Sequence, residues 1–422
     1  MSQRDAVTQG GQGHRAAASE RASKKADQFT SYDFFTRADV AGQCPYPLPV
    51  VPKHRKERTV KHCTAAVLLL VTLSIASAKE PEKPAAYPPA PESDQADDYH
   101  GTRVADPYRS LENADSPESQ KWIEAENKLT FGYLEKIPER KAINKQLTKL
   151  WNYEKYGVPF RESGNYFFSK NTGLQNQSVL YTASQLPGEA KVLLDPNTLS
   201  KDGTTALTGT AVSDDGKRLA YGLAVAGSDW QEWKVREIAT AKDLPDLVQW
   251  VKFSGAAWTH DNKGFFYSRY DAPSEGEGLK AANYFHKLYY HKLGTPQTED
   301  QLVYERTDHK DWNFSASVTE DGKFLIIDIS QGTDPKNRIF YKNIADLNSE
   351  VVELLTQQDA QYDFLGYEGN TFWLRTNLDA PRGRIISVQA TGPLDVTEIV
   401  PQGPDKLESA TIVGNKFVAN YL

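Results

Sequence analysis

The sequence has almost no cysteine. Only Cys44 and Cys63 occur in 422 residues, and both precede a segment that is interpreted below as a cleaved signal peptide. We therefore expect the mature chain to contain no thiol. A disulfide framework, a thiolate metal site and a cysteine nucleophile are excluded from that part of the chain.

Basic charge is also scarce beyond the N-terminal region. Residues 1–78 carry 11 Lys and Arg against 6 Asp and Glu, so the remainder carries 38 against 50, a net charge of −12. An acidic surface of this size repels polyphosphates and anionic lipids. We expect no nucleic-acid partner, and no membrane partner once the signal peptide has been removed.

The common catalytic and cofactor motifs are missing. The chain contains no Gly-x-Ser-x-Gly nucleophile elbow, no phosphate-binding loop, no dinucleotide fingerprint and no His-Glu-x-x-His helix. His286 and His291 are five apart in a strand-like segment, which predicts opposite faces and argues against a shared metal ion. The Asp-Asp-Gly and Glu-Asp-Gly sequences lack the repeated oxygen ligands of a calcium loop and are better explained as hairpin turns. We expect neither a metal nor a cofactor.

The sequence has a single apolar run of about a dozen residues, from Ala65 to Ala76. It follows a basic stretch, residues 54–61, and ends in Ala76-Ser77-Ala78, which is typical of a signal peptide. The run is too short to cross a hydrocarbon core of about 30 Å as a helix. We predict a signal peptide over residues 53–78, removed after Ala78, and a secreted or periplasmic protein. A short membrane anchor or a buried helix is the alternative. Residues 1–52 are expected to be disordered or to reflect a mis-assigned start.

Helical signals are confined to a short region. Residues 79–99 contain five prolines and predict an extended segment. Ser116-Pro117-Glu118 combines an N-cap, a first-turn proline and an early acid, and it predicts a helix over 117–134. Apolar residues beyond Pro138 predict a second helix that ends near residue 152.

From Tyr153 onward a strand pattern repeats. A polar turn is followed each time by a run of aromatic and β-branched residues, which are abundant in a chain with 21 Tyr, 17 Phe and 8 Trp. The six turns are anchored on Gly164, Gly216, Asn262, Gly322, Gly369 and Gly414, with spacings of 52, 46, 60, 47 and 45 residues. The long interval contains a polar insertion at 271–278. A period near 50 predicts the four-stranded blades of a β-propeller, with the turn residue in a left-handed conformation. We expect the sixth repeat to stop within its second or third strand.

Several collinear strings resemble the N-terminal part of the prolyl oligopeptidases, over residues 87–422. They are Asp98–Gly101, Val104–Glu112, Asn171–Gln177, Gly227–Trp230, Val251–Ser254, Ala257–Asp261, Lys287–His291 and Asp334–Arg338. The resemblance implies a seven-bladed propeller that caps a serine peptidase domain of the α/β-hydrolase type. Residues 79–152 would belong to the peptidase domain, and residues 153–422 would form most of the propeller. The fold class expected is therefore mainly β, an incomplete propeller preceded by a short helical segment.

The resemblance also implies substrate-facing residues. Phe253 matches a family aromatic that touches bound peptide, and Asn313 and Thr333 correspond to two further wall positions. Asp229 matches an acid that pairs with an arginine of the peptidase domain. For Phe253 the alternative is packing within a blade, and for Asp229 it is a local turn bond. The family's Ser, Asp and His lie in a C-terminal domain that has no counterpart in these 422 residues, so we expect no catalytic residue here.

Two functions remain open at this point. The first is the propeller portion of a secreted serine endopeptidase that hydrolyses short peptides after proline, with the propeller admitting substrates by size. Its partners would be proline-containing peptides and a C-terminal α/β-hydrolase domain. The second is a free-standing propeller that binds peptides or a protein without catalysis. The N-terminal helices favour the first, because they have no apolar partner unless a peptidase domain follows.

Overall fold

The computed structural model describes residues 86–274, 282–346, 349–391 and 394–422. The disordered or mis-assigned start predicted over 1–52 and the signal peptide predicted over 53–78 lie outside these residues. Residues Phe29–Lys149 and Leu150–Leu422 belong to different compact units, which are described separately. The domain boundaries given above stay predictions. No helix in the described ranges is both long and apolar enough to cross a membrane.

The first unit contains a hairpin and the helical region. Strands β1 (Ala96–Tyr99) and β2 (Thr102–Ala105) pair antiparallel, and a 3-10 helix follows at Arg109–Glu112. Helix α1 spans Pro117–Leu134, as the sequence predicts. Its N-cap Ser116 accepts a hydrogen bond from the Ser119 amide at 3.1 Å, and this satisfies one of the free N–H groups of the first turn.

Helix α2 spans Arg140–Trp151 and has an apolar face that is open to solvent. Ile143, Leu147, Leu150 and Trp151 are each more than half exposed. The first three lie at i, i+4 and i+7, which places them on one side of the helix. An amphipathic helix is thus present where the sequence predicts one.

The second unit consists of successive antiparallel sheets, numbered here one to six. Sheet one contains β3 (Lys155–Tyr156), β4 (Phe160–Glu162), β5 (Asn165–Asn171), β6 (Val179–Ala183) and β7 (Lys191–Leu194). Sheet two contains β8 (Thr205–Val212), β9 (Arg218–Val225), β10 (Gln231–Glu237) and β11 (Lys242–Val251). Sheet three contains β12 (Ala257–Trp258), β13 (Gly264–Arg269), β14 (Lys287–Lys292) and β15 (Gln301–Glu305).

The remaining sheets continue this order. Sheet four contains β16 (Trp312–Val318), β17 (Phe324–Gln331), β18 (Asn337–Asn343) and β19 (Val351–Leu355). Sheet five contains β20 (Tyr362–Glu368), β21 (Thr371–Thr376), β22 (Arg384–Gln389) and β23 (Val396–Val400). Sheet six contains β24 (Leu407–Val413) and β25 (Lys416–Tyr421). Short 3-10 helices lie at Pro196–Thr198 and Gln297–Glu299.

The six turn residues identified from the sequence connect β4 to β5, β8 to β9, β12 to β13, β16 to β17, β20 to β21 and β24 to β25. All of them have positive φ: Gly164, Gly216, Asn262, Gly322, Gly369 and Gly414. Glycine and asparagine reach this left-handed conformation at low cost, which explains the residue types at these positions. The 50-residue period is therefore the spacing from one sheet to the next.

The hydrophobic core lies between consecutive sheets. In β9, Leu219 and Tyr221 pack with Phe167 of sheet one, whereas Ala220 packs with Trp233 and sheet three. Strands β13, β17 and β18 also carry core residues on both faces. Because side chains alternate across a strand, a strand buried on both faces is apolar without interruption. Burial on both faces therefore explains the runs of aromatic and β-branched residues in the sequence.

Sheets two and three are joined along their edges. One residue pair, Val251 of β11 and Arg269 of β13, forms this junction, and it makes one eight-stranded sheet from two four-stranded ones. The other described sheets are not hydrogen-bonded to one another through paired strands. The expected fold class, a mainly β chain that forms an incomplete propeller after a short helical segment, is confirmed.

Candidate functional site

All four residues assigned from the resemblance lie at the same end of their strands. We call this the proximal end, defined as the end at which the first strand of each sheet begins. In an antiparallel meander the connection from the second to the third strand, and the connection to the next sheet, return to this end. Asp229 lies between β9 and β10, Phe253 between β11 and β12, Asn313 near the start of β16, and Thr333 between β17 and β18.

Asp229 lies in a tight turn at the proximal end of sheet two and is exposed. The turn is closed by its neighbours: the Ser228 hydroxyl accepts a hydrogen bond from the Trp230 amide at 3.1 Å. Ala226, at the start of the turn, has a left-handed φ of 54°. The carboxylate of Asp229 is thereby presented to solvent.

Trp230 is the centre of an aromatic cluster at the proximal end. Its ring meets Trp250 edge-on at 5.7 Å between centroids, and Tyr270 edge-on at 6.2 Å. The ammonium of Lys252 lies 3.8 Å from the centroid of the Trp230 ring, which is a close cation–π contact. Lys252 Nζ also donates to Asn283 Oδ1 at 3.0 Å.

Phe253 is held outward by an unusual backbone. Its φ is 53°, and Trp250 three residues earlier has φ 63°. The side chain of Phe253 is 52% exposed, whereas Val251 is fully buried. Packing of Phe253 within a blade, the alternative interpretation, stays open for a residue that is half buried. Its contact with peptide stays a prediction.

Asn313 joins the same cluster through Tyr270. The Tyr270 hydroxyl donates to Asn313 Oδ1, and the Tyr270 ring stacks on His286 at 4.5 Å. His286 Nδ1 accepts a hydrogen bond from the Phe314 amide at 3.0 Å. Burial lowers the pKa of His286 to about 3, so the ring is neutral and serves packing.

Thr333 is exposed. It is in the connection that follows Gln331, whose amide donates to Asp311 Oδ2 at 2.6 Å, next to the start of β16. Thr333 thus shares the proximal end of sheet four with Asn313. Their roles as wall positions stay predictions.

The structure adds residues to which the sequence analysis gave no role. Trp230, Lys252, Tyr270 and Asn283 connect the turn of Asp229 to Asn313 across three sheets. Trp230 and Lys252 do occur within the strings Gly227–Trp230 and Val251–Ser254. Their proximity was not visible in the sequence, since contacts between separate connections depend on how the sheets pack.

Two cavities lie at the other end of the strands, away from the proximal end. One, of about 560 Å³, is bordered by Thr259, His260 and Gly322; the other, of about 870 Å³, is bordered by Thr319, Gly369 and Asn415. Neither is lined by any of the four assigned residues. Two of the turn residues, Gly322 and Gly369, border these cavities. We place the candidate site at the proximal end, where the assigned residues lie.

His286 and His291, five residues apart in the sequence, lie on opposite faces as predicted. His286 contacts the start of β16, whereas His291 lies between Asp246 and Asp300 on the side of sheet two. Both are buried. In the described part of the chain, no group of three His, Cys, Asp or Glu side chains is arranged to hold a metal ion.

The proximal cluster offers recognition chemistry. It presents the half-exposed Phe253 and the exposed carboxylate of Asp229, whereas Lys252 is buried. Exposed apolar surface with a few polar groups suits ligand recognition. Nucleophilic catalysis needs a serine or equivalent beside a base, and the sequence contains no elbow that would build such a site.

Comparison with known proteins agrees with this architecture. Residues 88–422 match the family model described as prolyl oligopeptidase, N-terminal beta-propeller domain. The chain is 36% identical over 338 residues to a prolyl endopeptidase of Elizabethkingia meningoseptica, covering 80% of this chain and 47% of that protein. It is 34% identical over 381 residues to prolyl oligopeptidase A of Galerina marginata, covering 81% of this chain and 51% of that protein.

Solved structures give the same result. One from an analysis of two prolyl endopeptidases aligns with a TM-score of 0.59 at 36% identity, covering 80% of this chain and 49% of that chain. Prolyl oligopeptidase B from Galerina marginata, bound to a 25mer macrocyclization substrate, aligns with a TM-score of 0.71 at 30% identity, covering 79% of this chain and 51% of that one. The chain spans about half the length of the curated relatives it matches. It belongs to the prolyl oligopeptidase family, and what it contains is that family's N-terminal β-propeller region.

Proposed function

We propose that this chain is the substrate-admitting propeller portion of a serine endopeptidase that hydrolyses short peptides after proline. The propeller would select substrates by size, and a C-terminal α/β-hydrolase domain would supply the nucleophile. The observation that carries the proposal is that all four assigned residues lie at the proximal end, where Trp230 and Tyr270 link the turn of Asp229 to Asn313.

The relatives support the choice of substrate. Two matched proteins are named prolyl endopeptidase or prolyl oligopeptidase, and one matched structure contains a 25mer macrocyclization substrate. A site that accepts an extended peptide needs exposed apolar surface and a small number of precisely placed polar or charged groups. The half-exposed Phe253 and the carboxylate of Asp229 meet that description.

The apolar face of α2 supports the presence of a second domain. If a partner covered Ile143, Leu147 and Leu150, the burial of each side chain would contribute roughly 1.5 to 3 kcal/mol of free energy. A peptidase domain that includes residues 79–152 would provide such a partner. The alternative, a free-standing propeller, provides no domain that would cover the apolar face of this helix.

The test is peptide cleavage by a fusion of this chain to the peptidase domain of the Elizabethkingia meningoseptica relative. Release of a chromophore that follows proline in a short peptide is measured, with the same peptide carrying alanine before the bond as the control. We expect cleavage after proline only, and no cleavage of the same sequence placed within a stably folded protein. A fusion that folds and binds the peptide but never cleaves it would support the free-standing binding propeller instead.

The 422-residue chain alone is expected to be inert in this assay. Loss of a triad leaves a residual rate of roughly 10³ to 10⁴ over water when the oxyanion hole remains, but this sequence also lacks the nucleophile elbow that helps to build one. Turnover that persists through repeated purification of the chain would contradict the proposed division of labour.

The assigned residues can be tested in the active fusion. If Asp229 pairs with an arginine of the peptidase domain, Asp229→Asn should lower kcat/KM by about 10- to 100-fold, because a charge-assisted hydrogen bond contributes about 1.5 to 3 kcal/mol. Phe253→Ala should raise KM with little change in kcat. Unchanged kinetics for both variants, with normal melting, would leave these positions without a role in catalysis.

We also propose that the protein is exported. The basic stretch, the short apolar run and Ala76-Ser77-Ala78 support removal of residues 53–78. N-terminal sequencing of the exported protein should begin at Lys79. An exported form that retains Leu68–Leu70 would refute the signal peptide.

A further inference from the structure

Lys252 is a buried lysine at the proximal end. Only 7% of the residue is exposed, although lysine is among the side chains that are almost never buried without a partner. Its ammonium contacts Asn283 Oδ1 at 3.0 Å and the face of the Trp230 ring at 3.8 Å. The burial of a cation is therefore offset by one amide oxygen and one aromatic face.

The negative charge that acts on Lys252 comes from Asp229. Burial lowers the pKa of Lys252, and the carboxylate of Asp229 acts in the opposite direction. Within the described ranges, no carboxylate forms an ion pair with Lys252 at contact distance, so Asp229 acts across a longer gap. The neighbouring ring of His286 contributes no charge, because its pKa is about 3.

The backbone around Lys252 is strained. Trp250 and Phe253 both adopt left-handed conformations, which are unfavourable for residues other than glycine. Their effect is to direct Lys252 inward while Phe253 points outward. Strain of this kind persists only where surrounding contacts hold it, and Lys252 supplies two of those contacts.

We propose that Lys252 is a positioning residue for Asp229. Its ammonium clamps the Trp230 ring against Trp250 and Tyr270, and so fixes the turn in which Asp229 precedes Trp230. Its charge attracts the Asp229 carboxylate from within the fold. This inference rests on the proposed function in one respect: the oriented carboxylate is what a cationic residue of the peptidase domain would pair with.

The first experiment needs no catalysis. The chain is labelled with 5-fluorotryptophan, and the ¹⁹F resonance of Trp230 is assigned by its loss in Trp230→Phe. We expect this resonance to shift as Lys252 loses its proton, at a pH below the 10.5 of an ordinary lysine. Tyr270 titrates later, since burial raises its pKa to about 12.

Three variants test whether the Trp230 shift reports the titration of Lys252. Asp229→Asn should move the midpoint of the Trp230 shift to lower pH, because the carboxylate that favours the charged ammonium is gone. Lys252→Met should abolish the shift and leave the resonance of Trp258 unchanged. The control is Lys310→Met: Lys310 also contacts an aromatic ring at the proximal end, Tyr284 at 4.3 Å, and its loss should not affect Trp230.

The second experiment uses the active fusion. Lys252→Met should lower kcat/KM by about 5- to 20-fold, as expected for a charge coupling of 1 to 2 kcal/mol. Lys252→Arg should recover part of that loss, and Lys310→Met should have no effect. In Asp229→Asn, the further change Lys252→Met should cost little, because a positioning residue has nothing left to position.

The outcomes separate the two proposals. If the pH dependence of the Trp230 resonance is the same in Lys252→Met and Asp229→Asn as in the wild type, the positioning role is wrong, independently of the activity of the fusion. If Lys252→Met does not fold, the Asp229→Asn titration with Lys252 intact decides the question. Additive kinetic effects in the double variant would also overturn it. A fusion with no activity, but with the expected ¹⁹F titration, would refute the proposed function and leave the coupling of Lys252 to Asp229 in place.

Discussion

His291 forms a buried ionic network between sheets two and three, and its replacement should destabilise the propeller in a pH-dependent way. Its Nδ1 lies 2.7 Å from Asp300 Oδ1, and its Nε2 lies 3.3 Å from Asp246 Oδ1. The three side chains are 0 to 2% exposed. Tyr267 donates to the second oxygen of Asp300 at 2.6 Å, and the Gly294 amide donates to Asp246 at 2.5 Å.

The magnitude follows from the proton equilibrium. Burial alone would lower the pKa of His291, but the hydrogen bonds and charges of Asp246 and Asp300 outweigh it and raise the pKa from 6.5 to about 9. A folded-state pKa above the unfolded value means that the stabilisation is fully present below about pH 6.5 and is lost as the pH rises through 9. At about 1.4 kcal/mol per pKa unit, the change amounts to roughly 3 kcal/mol.

His291→Gln is the perturbation to make. At pH 6 it leaves two buried carboxylates facing each other without a cation, which should cost about 3 to 5 kcal/mol. The free energy of unfolding is measured from urea titrations followed by circular dichroism at pH 6, 7.5 and 9. We expect the wild type to lose stability across this range and the variant to lose much less.

His260→Gln is the matched control. His260 Nε2 lies 3.4 Å from Asp214 Oδ2, but the two side chains are 50% and 44% exposed, so the pair is screened by water. Its loss should cost less than about 1 kcal/mol at every pH. A wild type whose stability is unchanged between pH 6 and 9, or a His291→Gln variant with the same pH dependence as the wild type, would refute the reasoning.

Three further predictions concern stability. Gly322→Ala should destabilise more than Gly332→Ala by at least about 1 kcal/mol in urea titrations, because both glycines have positive φ but only at Gly322 would the new Cβ lie 2.3 Å from the His260 Cβ. Asp328→Asn should stabilise the chain at pH 7 by about 1 to 2 kcal/mol and have little effect at pH 4: burial raises the pKa of Asp328 from 3.8 to about 6, so the folded state loses stability as the pH rises from about 4 to about 6 and loses no more above that. Ser116→Ala should cost about 1 kcal/mol in the first unit, seen as earlier loss of helical circular dichroism on heating.

The amino-acid sequence by itself determined the local structure. Ser116-Pro117-Glu118 specifies the start of α1, because an N-cap acts within one helical turn. The six turn residues specify a hairpin near the start of each sheet, since glycine and asparagine adopt a left-handed φ at low cost within a local turn. The apolar runs specify strands buried on both faces, and alternation alone separated His286 from His291.

Only the tertiary structure decided which distant residues meet. Asp246, His291 and Asp300 come from two sheets, and nothing in their spacing indicates that one imidazole would lie between two carboxylates. The contact of Lys252 with Trp230, the left-handed backbone of Phe253 and the edge pairing of sheets two and three have the same origin. A turn or a cap depends on a few adjacent residues, whereas these contacts depend on the stacking of whole sheets, and so on every core residue between them.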